Sequence, residues 1–254
     1  MKTYTYKRPR EKVLIIGRNP VLLALDNDED LEKILINKES TGDGIHRIIT
    51  ITRNRNIPLV KVPRGKLDAI TDKNHQGIIA FRAPVDYQVV SDVVPALFEQ
   101  GVVPRLVILD GVTDVRNAGA IARSAYCFGI NALVVGSKGS AALNEGAVKA
   151  SAGALLQIPV CRERVLRDAV IYLRECGFRI IATDRKAGAI TLPKIDFSGP
   201  LAIVLGSEGK GISAILDKLA HVHVTIPMPG QFDSLNVSVA AGIIFYEMNR
   251  TIFD

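Results

Sequence analysis

A chain of 254 residues that is 48% hydrophobic can bury one large core or two modest ones, which excludes disorder as the default state. No apolar run reaches the roughly 18 residues that cross a bilayer, and the start, MKTYTYKRPREK, lacks the apolar centre of a secretory signal, so a soluble cytoplasmic protein with no membrane partner is expected. The net charge of +6 lies wholly in the first third: residues 1–82 carry 16 Lys and Arg against 10 Asp and Glu, and residues 83–254 carry 16 of each.

Within residues 1–82 the basic clusters YKRPREK and TRNRNIPLVKVPRGK offer what a phosphate backbone attracts. The runs KVLIIG, LEKILI, HRIITIT, IPLVKV and GIIAFRA are short and broken by polar stretches, which predicts a small α/β domain. Residues 83–104 contain three prolines with loose periodicity and read as a linker holding a short helix at 93–100. From 105 to 254 the β-branched runs RLVILD, ALVVG, QIPVC, RIIATD, LAIVLG and HVHVTIP alternate with stretches of helical spacing such as 119–128 and 164–176. That alternation predicts a parallel sheet with helices on both faces, whose ligands bind at the carboxyl ends of the strands. Cys127, Cys161 and Cys176 are scattered and odd in number, so they read as buried fillers and not as a disulfide framework or thiolate cage. His221 and His223 alternate on a strand with no third ligand at a metal spacing, so no metal is expected.

Three stretches follow strands. In DGVTDVRNAGAIARS, Asn117 stands where a helix could begin and Arg123 projects about a turn and a half later; an amide and a guanidinium there suit an oxygen-rich ligand, or a plain cap and a solvated Arg. In LGSEGKGI the glycines permit close backbone approach, but the order matches neither a P-loop nor a dinucleotide fingerprint, and Glu208 would repel a polyphosphate. A ligand with a positive centre fits it better. In IPMPGQFDSLNVSVA the chain leaves a strand at Ile226, turns, and starts a helix near Ser234, a natural N-cap. The helix that follows is apolar nearly all round and is expected to be buried in the core or against a second subunit.

Together NAGAIAR at 117–123, LGSEGKGI at 205–212 and IPMPGQFDSLNVSVA at 226–240 resemble the three motifs of the SpoU (TrmH) family of RNA ribose 2′-O-methyltransferases, in the SPOUT superfamily. GRNPVLLAL at 17–25 and NHQGIIA at 74–80 resemble the amino-terminal RNA-binding domain of the subgroup that methylates a guanosine of 23S ribosomal RNA. The resemblance implies a SPOUT-type α/β catalytic domain with a carboxyl-terminal trefoil knot, which no periodicity could reveal and which runs against the rule that chains do not knot. It also implies a homodimer and S-adenosylmethionine as methyl donor. Carried over residue by residue, Thr183, Gly206, Ile226, Met228 and Leu235 would hold the cofactor, and Asn117, Arg123, Glu208, Ser234 and Asn236 would surround the reacting hydroxyl. Arg18, Asn19, Arg64, His75 and Gln76 are the RNA-contact candidates of the first domain, with no aromatic stacking pair beside them. A transfer RNA substrate, a noncatalytic RNA-binding module and a nucleotide-phosphate enzyme using GSEGKG are the alternatives.

Overall fold

The apolar runs of the second part form strands buried on both faces, as a sheet covered by helices on each side requires. In the computed structural model, which describes residues 14–253 except 56, 185, 187, 208 and 231–233, and not the side chains of 251–253, the chain divides into two compact units. One contains the described residues up to Asp86 together with Leu143–Glu145; the other contains Tyr87–Ala142 and the described residues from Gly146 onward.

The first unit runs β1 (Leu14–Ile16), α1 (Arg18–Asp26), β2 (Leu31–Asn37), α2 (Asp43–Asn54), β3 (Leu59–Val62), α3 (Arg64–Asp68) and β4 (Ile78–Arg82). Its four-stranded sheet has the order β1-β4-β2-β3, with β4 antiparallel to both neighbours and β2 parallel to β3. HRIITIT, despite its β-branched residues, lies in α2, because Ile45, Ile48 and Thr52 fall on one helical face and are buried there.

The second unit begins inside the stretch expected as a linker. There β5 (Tyr87–Gln88) pairs with a core strand and α4 (Val90–Glu99) buries Val90, Val93 and Val94. It continues with β6 (Arg105–Asp110), α5 (Val115–Cys127), β7 (Ala132–Gly136), α6 (Glu145–Ala150, whose first residue belongs to the other unit), β8 (Val160–Glu163), α7 (Leu166–Glu175), β9 (Arg179–Thr183), β10 (Ile190–Thr191), β11 (Leu201–Gly206), α8 (Ala214–Leu219), β12 (Val222–Thr225) and α9 (Val237–Phe253). All pairs in this eight-stranded sheet are parallel, in the order β10-β12-β9-β11-β6-β7-β8-β5.

Helices α4, α7 and α8 cover one face, where Val93, Val170, Leu173 and Leu216 pack with Ile108, Val134, Ile180 and Val204 of the strands. The alternate strand residues Val107, Leu109, Leu133, Ile203 and Leu205 are equally buried. Pairs of polar groups tie α9 down: buried Asn249 donates from Nδ2 to the carbonyls of Phe128 and Phe245 at 3.0 and 2.8 Å, and its Oδ1 accepts from Arg105 Nη1 at 2.9 Å. Of the cysteines only Cys161 is fully buried, and burial, with Glu163 and Asp92 nearby, pushes its thiol up to about 12; Cys127 is exposed on α5, contrary to the expected filler role. Its helix position points it away from the core face formed by Ala118, Ile121, Ala122 and Ala125.

Candidate active site

The parallel register brings Asp110 level with Gly206, and Thr183 level with Val224, so the strand ends bearing all three stretches lie side by side. Here the chain leaves β6 for β7 on one side of this pair and leaves its neighbour β11 for β12 on the other; such a switch point opens a crevice at the carboxyl ends.

The first stretch is pinned at its start. Asp110 Oδ2 accepts from the Ser213 amide at 2.6 Å, and Gly111, with φ of +72°, has room for no side chain without pressing on Ser207. Asp114, not Asn117, caps α5: its Oδ1 accepts from the amides of Arg116 and Asn117 at 2.8 and 2.9 Å. A carboxylate satisfies orphan N–H groups and complements the positive end of the helix. The side chain of Asn117, one turn inside, is thereby free to face α9, and its Oδ1 accepts from Asn236 Nδ2 at 3.0 Å.

The third stretch is capped two residues later than the sequence suggests. Asn236 Oδ1 accepts from the Ser238 amide at 2.9 Å, the Ser238 hydroxyl at 2.6 Å and the Val239 amide at 3.4 Å, so α9 starts at Val237 and Asn236, not Ser234, is the cap. Asn accepts these bonds as well as Ser does, and the later start leaves Ser234 in the preceding loop. One amide therefore caps a helix with its oxygen and bridges to the first stretch with its nitrogen.

Beside this junction is a cavity of about 140 Å³ lined by Thr183, Ile226, Met228, Ser234 and Leu235, all expected site residues, and also by Asp184, Val224, Thr225, Ala240 and Ile244. The Thr183 hydroxyl donates to the Val204 carbonyl at 3.0 Å, leaving its lone pairs for other partners. Its mostly apolar walls suit a ligand with a flat apolar ring, while the Asp184 carboxylate is already paired with the Lys186 ammonium at 3.5 Å. Asp184 is the residue that sequence reasoning passed over; an acid directly following the strand run RIIAT is the signal that could have found it.

The remaining expected residues fall nearby or elsewhere. Gly206 does not line this cavity but starts the glycine loop, where a Cβ would lie 2.3 Å from the Gly211 carbonyl carbon and 2.5 Å from the Ile212 nitrogen. Paired amides and carbonyls of Ser207 and Gly211, each 3.0 Å apart, close the loop on itself. Glu208 lies outside the described residues. Arg123 is exposed on α5, and among the described residues no hydrogen bond or ion pair engages its guanidinium. It lines a second cavity, of about 300 Å³, with Tyr126, Cys127, Gln157 and the turn at 151–154.

Asp184, Asp217 and His223, without His221, bring ligand-type atoms within 4.8 Å of one another. Lys186 is paired with both carboxylates, so an ammonium already stands where a cation would be held, and a metal fits this cluster poorly.

In the first unit Arg18 and Gln76 are joined: the Arg18 amide donates to Gln76 Oε1 and its Nε to the Gln76 carbonyl, both at 3.1 Å. Asn19 is exposed beside them in sequence. Arg64, also exposed, lines a cavity of about 460 Å³ with Lys73, Asn74 and His75. His75 is only 5% exposed; its Nδ1 accepts from the Gly77 amide at 3.0 Å, which leaves Nε2 to donate to Asp68 at 2.8 Å. Both ring nitrogens are thus committed to shaping the turn, and the ring is not offered to a ligand.

Residues 104–246 match the SpoU rRNA methylase family, and residues 14–88 match the RNA 2′-O ribose methyltransferase substrate-binding family. A Staphylococcus saprophyticus protein named for the TrmH family of tRNA/rRNA methyltransferases is 33% identical over 240 residues, 94% of this chain and 96% of its own length. Among solved structures, an rRNA methyltransferase from Sinorhizobium meliloti with bound AdoMet shares the fold, with a TM-score of 0.60 at 24% identity over 96% of this chain and 88% of that one. A TrmH-family protein from Porphyromonas gingivalis gives a TM-score of 0.57 at 26% identity, over 95% and 90%. With its three strand-end stretches and full-length match to such relatives, the chain belongs to the SpoU family and is an RNA methyltransferase.

Proposed function

We propose that this methyltransferase transfers the methyl group of S-adenosylmethionine to a ribose 2′-hydroxyl of RNA, with a guanosine of 23S ribosomal RNA as the target. The observation that carries the reading is the junction of the first and third stretches through the Asn117–Asn236 bond, directly beside a cavity lined by Thr183, Ile226, Met228 and Leu235. The amino-terminal substrate-binding unit supports ribosomal RNA over transfer RNA.

The bound cofactor supplies an electrophilic methyl on a sulfonium, so the protein's task is chiefly to place the 2′-oxygen in line and to ease loss of its proton. The apolar walls Ile226, Met228, Leu235 and Ile244 would take the adenine. A guanidinium is no simple base, so Arg123 serves another way. Its unengaged fork grips a phosphate next to the target ribose, and that ion pair orients the hydroxyl. Asn117 and Asn236 hold the two stretches in register, with Ser234 facing the reaction from the cavity wall. Glu208 belongs to the same proposal as a loop-fixing group. The carboxyl-terminal trefoil knot does too, as does a homodimer that completes the site.

The experiment is to map 2′-O-methylation in RNA from cells with and without the gene, then to measure single-turnover transfer to the RNA lacking the mark. The expected result is one missing methyl, on a 23S guanosine, restored by the protein. Arg123→Lys, which keeps the charge but loses the fork, should slow the transfer by on the order of 10²-fold. A missing mark on transfer RNA would overturn the substrate, and a near-normal rate for Arg123→Lys would overturn the role of the fork.

A further inference from the structure

The second cavity shares no lining residue with the one proposed for the methyl donor, yet it contains the side chain on which the proposed chemistry turns. Arg123, Tyr126 and Cys127 form one wall from α5, and the turn at 151–154 with Gln157 forms the other. The turn is built to keep its shape. Buried Ser151 donates from Oγ to the Val148 carbonyl at 2.8 Å and accepts the Leu155 amide at 3.2 Å. Ala152 and Gly153 then take φ of +50° and +86°, a left-handed pair in which the alanine adopts a conformation its side chain disfavours. Gly119 lets α5 lie against this segment, since a Cβ there would fall 2.6 Å from the Ala147 carbonyl oxygen.

At the end of the turn stands Gln157. Its Nε2 is buried and, among the described residues, makes no hydrogen bond. A buried amide donor is normally paired, so a cavity that keeps one unpaired is short of an acceptor. Arg123 in the same cavity is short of an anion. A nucleotide unit carries both, and the mostly apolar remainder of the lining, with the Tyr126 ring, suits the face of a base.

We propose that this cavity receives a nucleotide of the RNA substrate, its phosphate on Arg123 and its base edge on Gln157, which makes Gln157 a specificity-determining residue. The inference rests on the methyltransferase reading for its place in the reaction, but the binding itself does not. Adenine fits best, because its N7 accepts from Nε2 while its N6 amino group donates to Oε1 of the same carboxamide. Guanine offers two acceptors, which leave Oε1 unmatched, and cytosine offers only a donor on its major-groove edge.

The test is a titration of the full ¹⁵N-labelled chain with each of the four nucleoside 5′-monophosphates, following the Gln157 side-chain amide by NMR. Adenosine monophosphate should move that signal at the lowest concentration. Gln157→Leu should weaken its binding by about 10-fold and level the four nucleotides, the scale of losing one base-edge bond. Arg123→Gln should weaken all four alike. Gln157→Asn, which keeps the amide on a shorter stem, should retain the preference at reduced affinity. A Gln157 signal unmoved by any nucleotide, or an unchanged preference in Gln157→Leu, would overturn the proposal. Methyl transfer to RNA is measured separately on the same samples: nucleotide binding without transfer would sink the enzyme reading while leaving the binding site standing.

Discussion

Gly119 shows how one residue fixes the spacing of a site. With Ala147 and Ala150 across the contact, even one added methyl must displace backbone, so Gly119→Ala should destabilise the fold by about 1–3 kcal/mol. Urea unfolding would measure it, and an unchanged midpoint would contradict the close approach. His221 is the residue to watch with pH. Partial burial, then the charges of Arg174 and Arg179, hold its imidazole below the ordinary value of 6.5, and its Nδ1 accepts the Ile180 amide at 2.9 Å, a bond that only the unprotonated nitrogen can make. Just below pH 6.5 the unfolded chain therefore binds more protons than the folded one, so stability should fall as pH drops through that value. Replacing His221 with Gln should flatten this part of the profile in urea midpoints taken between pH 7.5 and 5.5.

At the scale of an element, α9 owes its start to a side chain with two duties. Asn236→Ala removes the cap and the bridge to Asn117 together, and should cost about 1 kcal/mol of stability with a larger proportional loss of methyl transfer. Asn236→Asp keeps the accepting oxygens but loses the Nδ2–H, so stability should largely return while transfer stays low. Denaturation and single-turnover rates on the two variants separate capping from bridging; equal recovery of both would show that the bridge has no role. The later start of α9 could not be read from the sequence, where Ser234 and Asn236 are both good caps two residues apart. The same ambiguity placed the start of α5 at Asn117, when Asp114 offers a charged cap one turn earlier. Propensity ranks such residues nearly equally, and only the packing of the loop decides between them.

For the whole molecule, the exposed face of α9 bears on assembly. Val239, Ile243 and Tyr246 are 51%, 38% and 51% exposed at helical spacing, and Tyr246 stacks edge-on with Phe128 at 6.3 Å. An apolar stripe of this kind favours the proposed homodimer. Tyr246→Glu should shift the protein from dimer to monomer in sedimentation velocity, with little change in circular dichroism; a wild-type monomer would refute this use of the face. The alternation of short β-branched runs and helical stretches was enough to give the class of fold and the strands whose ends bear the site, because a sheet buried on both faces must be written in continuous apolar runs; the two-residue edge strands β5 and β10 are too short to show such a run. The motif resemblance named the residues. What only the tertiary structure decided is which of them meet: β11 lies between β6 and β9, strands distant from each other in the chain, and no local pattern encodes a strand order set by long-range pairing. That order brings Asn117 to Asn236 across 119 positions of sequence and leaves Gln157 unpaired beside Arg123.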